Sequence, residues 1–347
     1  MAGKNIELLL QPISAEAPCG ADLEYDPVFL ELDRVSEGKP EQQMGDTIVP
    51  AQEPDWKEVA SRALALLAKT KDIRIAIRLT RALLYTEGFT GLADGLAVVR
   101  GIAESFWDGF YPKLDPEDAN DPTFRVNILM GICDAATFID RIRVIPIVNA
   151  RSFGRFSLRD LAIASGEIPP LPGVEPPTAS AVEGAFSECQ VSDLQAIAAA
   201  LHSALASLVA IESFVGEKVG VSNGPNFSKL SEVLRAAEKI LEARLAQRGV
   251  GIDASGNATD AGEGSGDGSG GGKSISGEIN SREDVIRVLD KICSYYQRAE
   301  PSSPIPLLLQ RSKRLVSASF LDIVRDIAPD GLTQVENLRG KDEKESR

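Results

Sequence analysis

The chain has a single histidine, His202, among its 347 residues, only four cysteines, and no CxxC spacing. One histidine excludes a multi-histidine metal site and leaves room for at most one Ser-His or Cys-His arrangement. Cys19, Cys133, Cys189 and Cys293 stand far apart, which reads as reduced thiols rather than a disulfide framework. Aromatic residues are scarce at 5%. No uninterrupted apolar run approaches the roughly 18 residues that a membrane span needs, and the N-terminal residues show no cleavage-site pattern. A cytoplasmic protein without direct membrane insertion is expected. Basic residues are also in deficit, 37 against 51 acidic, for a net charge of −14. That balance argues against unspecific binding to nucleic acid or to an anionic membrane surface. Residues 277–347 carry equal numbers of each sign, so the whole excess of negative charge lies upstream.

What is present is the composition of a folded chain, 43% hydrophobic and 25% charged. Its length suits two or three domains. Apolar residues recur at spacings of three and four over most of it, which predicts a mainly α protein. Residues 12–55, rich in Pro, Gly and acids, read as an extended ordered arm with a short turn around 29–35. Helices are expected at 55–69 behind an Asp55 cap, at 72–88 with a stop at Gly88, at 91–107, and at 124–145 with Val126, Leu129, Ile132, Cys133 and Ile139 on one face. The interval 151–190 reads as a Pro-rich connection with a short strand around 153–160, and 191–250 as an Ala- and Leu-rich helical hairpin. The expected division is an N-terminal helical domain at 1–150, the connection, the hairpin, a linker at 251–280, a C-terminal helical domain at 281–335 and a disordered tail at 336–347.

Residues 251–276 hold nine glycines, five serines and no aromatic residue. Such a segment buries too little apolar area to offset the entropy of ordering, so it reads as a flexible tether. Its root-mean-square span is about 30 Å and its taut limit about 90 Å. Within it GDGSGGGKS imitates a phosphate loop, but Asp267 stands where the first glycine belongs, and no apolar strand precedes it. DASGNATDAGEG imitates a calcium loop, but Ala258 replaces the turn glycine and Gly264 the bidentate glutamate. The acidic runs at 16–33 and 115–121 show no spacing that converges on a catalytic pair. No catalytic, cofactor or metal-binding residue is expected. The competing reading is a cytoplasmic hydrolase or nucleotide-dependent enzyme using the His202 region. Trp56, Phe106 and Trp107 are core residues first, with an aromatic partner-binding patch as the alternative.

The C-terminal segment opens with SRED, a capping-box-like start, after which Val285, Leu289, Ile292 and Tyr296 line one helix face. EPSSPIP ends that helix and starts another, with Ser303 as cap and Pro304 at the first position. Leu308, Leu309, Leu315, Val316, Phe320 and Ile323 then form a broad apolar stripe. Two helices without a staple are marginal alone, so self-association through this stripe is expected, giving a homo-oligomer.

Particular stretches carry a resemblance. PISAEAPCGADLEYDPVF, PDW at 54–56, KDIR at 71–74, EGFTGL at 87–92, the FW pair before Pro112 and DPTFRVN at 121–127 resemble the ImpA-type N-terminal domain of the TssA family of bacterial type VI secretion. The segment from SREDVIRVLDKICSYYQRAEPSSPIPLLLQR onward resembles the tail of the shorter TssA class. The resemblance implies a non-enzymatic, cytoplasmic assembly component. It implies a ring built by the C-terminal domain, contacts with baseplate, tube and sheath proteins, and a part in starting or coordinating tail polymerisation.

Overall fold

The computed structural model describes residues 4–39, 42–44, 47–170, 172–252 and 258–260, together with 285–286, 288–289, 292–293 and 305–316. It divides into two compact units, Met1–Gly264 and Ser265–Arg347. The first is helical with small two-stranded ladders. After α1 (Lys4–Leu9) the expected extended arm contains α2 (Pro27–Glu37). Asp26 caps α2 by accepting from the Val28 N–H, Pro27 occupies the first position, and Phe29 and Leu32 are buried beneath it. Three local signals agree there, so a full helix stands where a short turn was expected. A ladder of β1 (Gln42–Met44) and β2 (Thr47–Val49) follows.

Asp55 caps α3 (Trp56–Leu67) by accepting from the Lys57 and Glu58 N–H groups, and Asp72 caps α4 (Ile73–Phe106). The run of α4 is broken at Gly88, whose φ of 66° and ψ of −137° reverse the chain. The two halves expected from the sequence therefore stand as an antiparallel hairpin. They approach so closely that a Cβ at Gly95 would lie 2.6 Å from the Cα of Thr80.

The single helix expected over 124–145 is broken. α5 (Thr123–Met130) ends in a tight turn, and Asp134 turns extended at φ −62° and ψ 130°. The Asp134 carboxylate accepts from the Thr137 N–H and hydroxyl, starting a wide turn that leads into α6 (Asp140–Val144). Val126, Leu129, Ile132, Phe138 and Ile142 are buried on both sides of the break, which is why the apolar pattern runs on unbroken. Cys133 is only half-buried.

The interval 151–190 is more regular than its prolines suggest. Strands β3 (Pro146–Ala150) and β4 (Gly154–Ser157) pair antiparallel, and a capping box of Ser157 and Asp160 opens α7 (Leu158–Ser165). Thr178 caps α8 (Ala179–Glu188). The prolines are confined to the turn between these helices. α9 (Val191–Val219) and α10 (Ser228–Gln247) then form the expected hairpin.

The expected boundary at residue 150 is absent, because one continuous core runs from Phe29 to Leu245. α9 packs against both α4 and α10, its Leu201, Ala204, Leu208, Ile211 and Val215 being buried. By length and composition alone α9 could cross a membrane, which no run-length count revealed. Its apolar residues are needed on two sides at once. Beyond α10, β5 (Val250–Ile252) pairs with β6 (Ala258–Asp260), so the described start of the expected linker forms a small ladder. Residues 261–280 lie outside the described residues.

In the second unit α11 spans Ile305–Val316. Val285 and Leu289 are helical and half-buried, as are Leu309, Leu315 and Val316, while Ile292 and Leu308 are exposed. Tyr296, Pro304, Phe320, Ile323 and the tail at 336–347 lie outside the described residues.

Candidate functional site

Four of the family-like stretches, the arm, KDIR, the FW pair and DPTFRVN, meet at the open end of the α4 hairpin, while EGFTGL forms its closed end. The arm reaches it first. Gly20 bridges to Thr70, the Lys71 N–H donates to the Cys19 carbonyl at 2.8 Å, and the Tyr111 hydroxyl donates to the Gly20 carbonyl at 3.1 Å. The Tyr111 N–H in turn donates to the Lys71 carbonyl at 2.8 Å, and the Ile73 N–H donates back to Tyr111 at 2.9 Å. At Gly20 a φ of 72° and a hypothetical Cβ 2.1 Å from the Lys69 carbonyl oxygen leave glycine as the residue that fits.

Two buried cations lock this stitching. Lys71 is 1% exposed, and its Nζ donates to the Leu9 carbonyl at 2.6 Å and the Leu67 carbonyl at 3.4 Å, closing the ends of α1 and α3. Burial pulls its pKa down. Arg125, also 1% exposed, donates Nε to Pro112 and Nη2 to Phe110, each at 2.7 Å, and Nη1 to Trp107. Its guanidinium lies 3.9 Å from the Phe110 ring centroid. Burial brings its pKa down to about 10. The accepting carbonyls sit just past the C-terminus of α4, where a cation meets the negative end of the helix dipole. With three nitrogens committed to carbonyls, Arg125 performs no chemistry; it closes a helix.

Asp72 joins the same corner. It is 1% exposed, takes the Arg74 N–H at 2.8 Å, and pairs with the Arg74 guanidinium at 2.7 Å, while Arg74 reaches Glu24 of the arm at 3.0 Å. Burial raises the Asp72 pKa against the opposing pull of Arg74.

Around this corner a cleft of about 630 Å³ opens between the arm, the end of α4 and α9, lined among others by Glu16, Cys19, Trp107, Lys113, Phe214 and Lys218. Its charges are mixed. Burial raises the Cys19 thiol, leaving it a poor nucleophile.

The aromatic residues considered as a partner patch are core residues. Trp56 and Phe106 are 9% exposed and Trp107 7%. Trp107 packs edge-on against Phe110 and Phe214, and Trp56 stacks on Tyr85 at 4.1 Å. Helical periodicity places an aromatic residue on a face without saying whether that face is covered. His202 is half-buried on α9 with Nδ1 3.5 Å from Glu238 of α10, a pair across the hairpin. Asp115 and Asp121 cap turns, accepting from the Glu117 and Thr123 N–H groups. Sequence reasoning missed Lys71 and Arg125. The available signal was their position inside the family-like stretches KDIR and DPTFRVN.

Residues 10–134 match the family model described as ImpA, N-terminal, type VI secretion system. The arm, the α4 hairpin and the Arg125 lock thus define an ImpA-type N-terminal domain. The chain is 41% identical to the type VI secretion system component TssA1 of Pseudomonas aeruginosa, an alignment covering 97% of this chain and 98% of that protein. Its fold is similar to the N-terminal domain, including the conserved ImpA_N region, of the TssA component from Burkholderia cenocepacia. There the TM-score is 0.57 at 25% identity, over 70% of this chain and 94% of that one. The chain belongs to the TssA family of type VI secretion components.

Proposed function

We propose that this protein is a non-enzymatic, cytoplasmic scaffold that forms a ring through residues 281–335 and holds baseplate, tube and sheath subunits, promoting tail assembly. The observation that carries the reading is the match to TssA1 over nearly the whole of both chains, C-terminal segment included. Exposed Leu308 and Ile305 on α11, an amphipathic helix in a small unit, favour burial against further copies. A ring multiplies weak contacts: helical units carried on one ring raise the effective concentration of each other's partners, so single contacts stay reversible.

Light scattering after size exclusion tests the ring. The full-length protein is expected to elute as a multi-subunit particle, and a chain ending at Gly264 as a monomer. A full-length monomer at about ten micromolar would overturn the reading.

A further inference from the structure

A second cleft, of about 410 Å³, runs beside the first half of α4, where Asp33, Arg78, Arg81, Ile128, Gly131 and Phe138 are among its lining residues. Its arginines differ in their commitments. Arg74 is taken by Asp72 and Glu24, and Arg78 lies 2.6 Å from Asp33. Arg81 makes no such pair among the described residues; the nearby Asp134 carboxylate, which feels its charge, accepts instead from Thr137. The Arg81 guanidinium stacks 4.7 Å from the Trp56 ring centroid, and its buried Nε has no hydrogen-bond acceptor. Arg141 repeats the arrangement beyond Tyr85, 4.3 Å from that ring and again with an unpaired buried Nε. Neither makes a salt bridge among the described residues.

Stacking fixes the plane of a guanidinium and leaves its N–H edge for a partner. The buried Nε is closed to any ligand, but the Nη groups of Arg81, neither buried without a partner nor hydrogen-bonded among the described residues, remain open to an acceptor. A carboxylate is the complementary group, since it matches the fork of the arginine and forms strong charge-assisted bonds. The apolar lining next to it, Ile77, Ile128 and Phe138, suits an adjoining apolar side chain. A doubly charged phosphate suits the cleft less well, because Asp33 and Glu37 line it too and would repel the second charge.

We propose that the cleft beside Arg81 docks a segment of a partner protein that presents an Asp or Glu carboxylate next to an apolar side chain. The carboxylate takes the unused edge of Arg81, and the apolar neighbour lies on Ile128 and Phe138. The proposal stands independently of ring formation, since the cleft lies wholly within the first unit.

The test is a calorimetric titration of the full-length protein with the acetylated, amidated pentapeptide Ala-Leu-Glu-Leu-Ala. The Gln counterpart and inorganic phosphate are titrated in parallel, and tryptophan fluorescence is followed because Trp56 lies under Arg81. The Glu peptide is expected to bind with a fluorescence change, the Gln peptide at least tenfold more weakly, and phosphate not to compete. Arg81→Gln should weaken binding at least tenfold. Gly131→Leu is a second, independent block: Gly131 lines the cleft and a Cβ there meets nothing within 4 Å, so a larger residue crowds the cleft wall, and it carries the test if Arg81→Gln fails to fold. No binding of the Glu peptide, equal binding of the two peptides, full binding by Gly131→Leu, or displacement by phosphate at lower concentration would each overturn the proposal.

Discussion

Arg125 and Arg81 belong to the same helical unit and both lie over aromatic rings, yet their N–H edges stand in opposite states. Arg125 is fully buried and gives three nitrogens to the Trp107, Phe110 and Pro112 carbonyls, and it makes no salt bridge among the described residues. Arg81 is only half-buried, lines a cleft, and donates no hydrogen bond among the described residues. Burial of a cation is thus not by itself a mark of function. What separates a structural arginine from an available one is whether its donors are already used.

Substitutions test that contrast. The largest effect is expected from Arg125→Leu, which leaves three carbonyls at a helix end without a donor and removes a large buried side chain. A loss of about 3–5 kcal/mol is expected in urea unfolding. Arg125→Lys keeps the charge but loses the fork, for an expected loss of about 2 kcal/mol. Asp72→Ala removes a helix cap and the more buried of the two carboxylates on Arg74, leaving Glu24, with an expected cost of about 2–3 kcal/mol. Arg81→Gln removes only a stacked, half-buried cation, and a loss below about 1 kcal/mol is expected. A loss as large as that of Arg125→Leu would erase the distinction.

The smallest effect concerns acidity. Burial holds the Asp33 carboxyl above its usual value even though Arg78 pulls it down. The folded state therefore binds a proton that the unfolded chain has released, in the window between the ordinary carboxylate value and the raised one. The stability from this group is present below that window and lost as pH rises through it. Melting temperatures of the wild type and Asp33→Asn, compared from about pH 4 to about pH 7, should show the wild type losing ground as pH rises. The opposite slope would mean that Arg78 outweighs burial.

The mainly helical class was legible in the spacing of apolar residues, because α3, both halves of α4, α9 and α10 each keep one face covered over several turns. The break at Asp134 was not, since the buried positions continue in phase while a single side-chain cap redirects the backbone. α7 was hidden for the opposite reason: none of its residues is fully buried, and only the Ser157–Asp160 pair in RFSLRDL announced it. At the site, periodicity inverted the order of importance. Phe124 is 59% exposed while its neighbour Arg125 is buried, against every hydropathy scale, because three carbonyls left by the end of α4 outweigh the cost of desolvating one guanidinium. Available donors are likewise invisible in sequence, as they depend on what fails to come near.

The Arg125 clamp ties residues 107–112 to α5 in a chain that forms no disulfide among its described residues. A staple made of charge and carbonyl has different failure modes. Reductants do not cut it, and because its partners are dipoles held out of water rather than an exposed counter-ion, salt screens it weakly. The attachment of α5 to the end of the α4 hairpin is accordingly built to ignore the redox state and ionic strength of its surroundings.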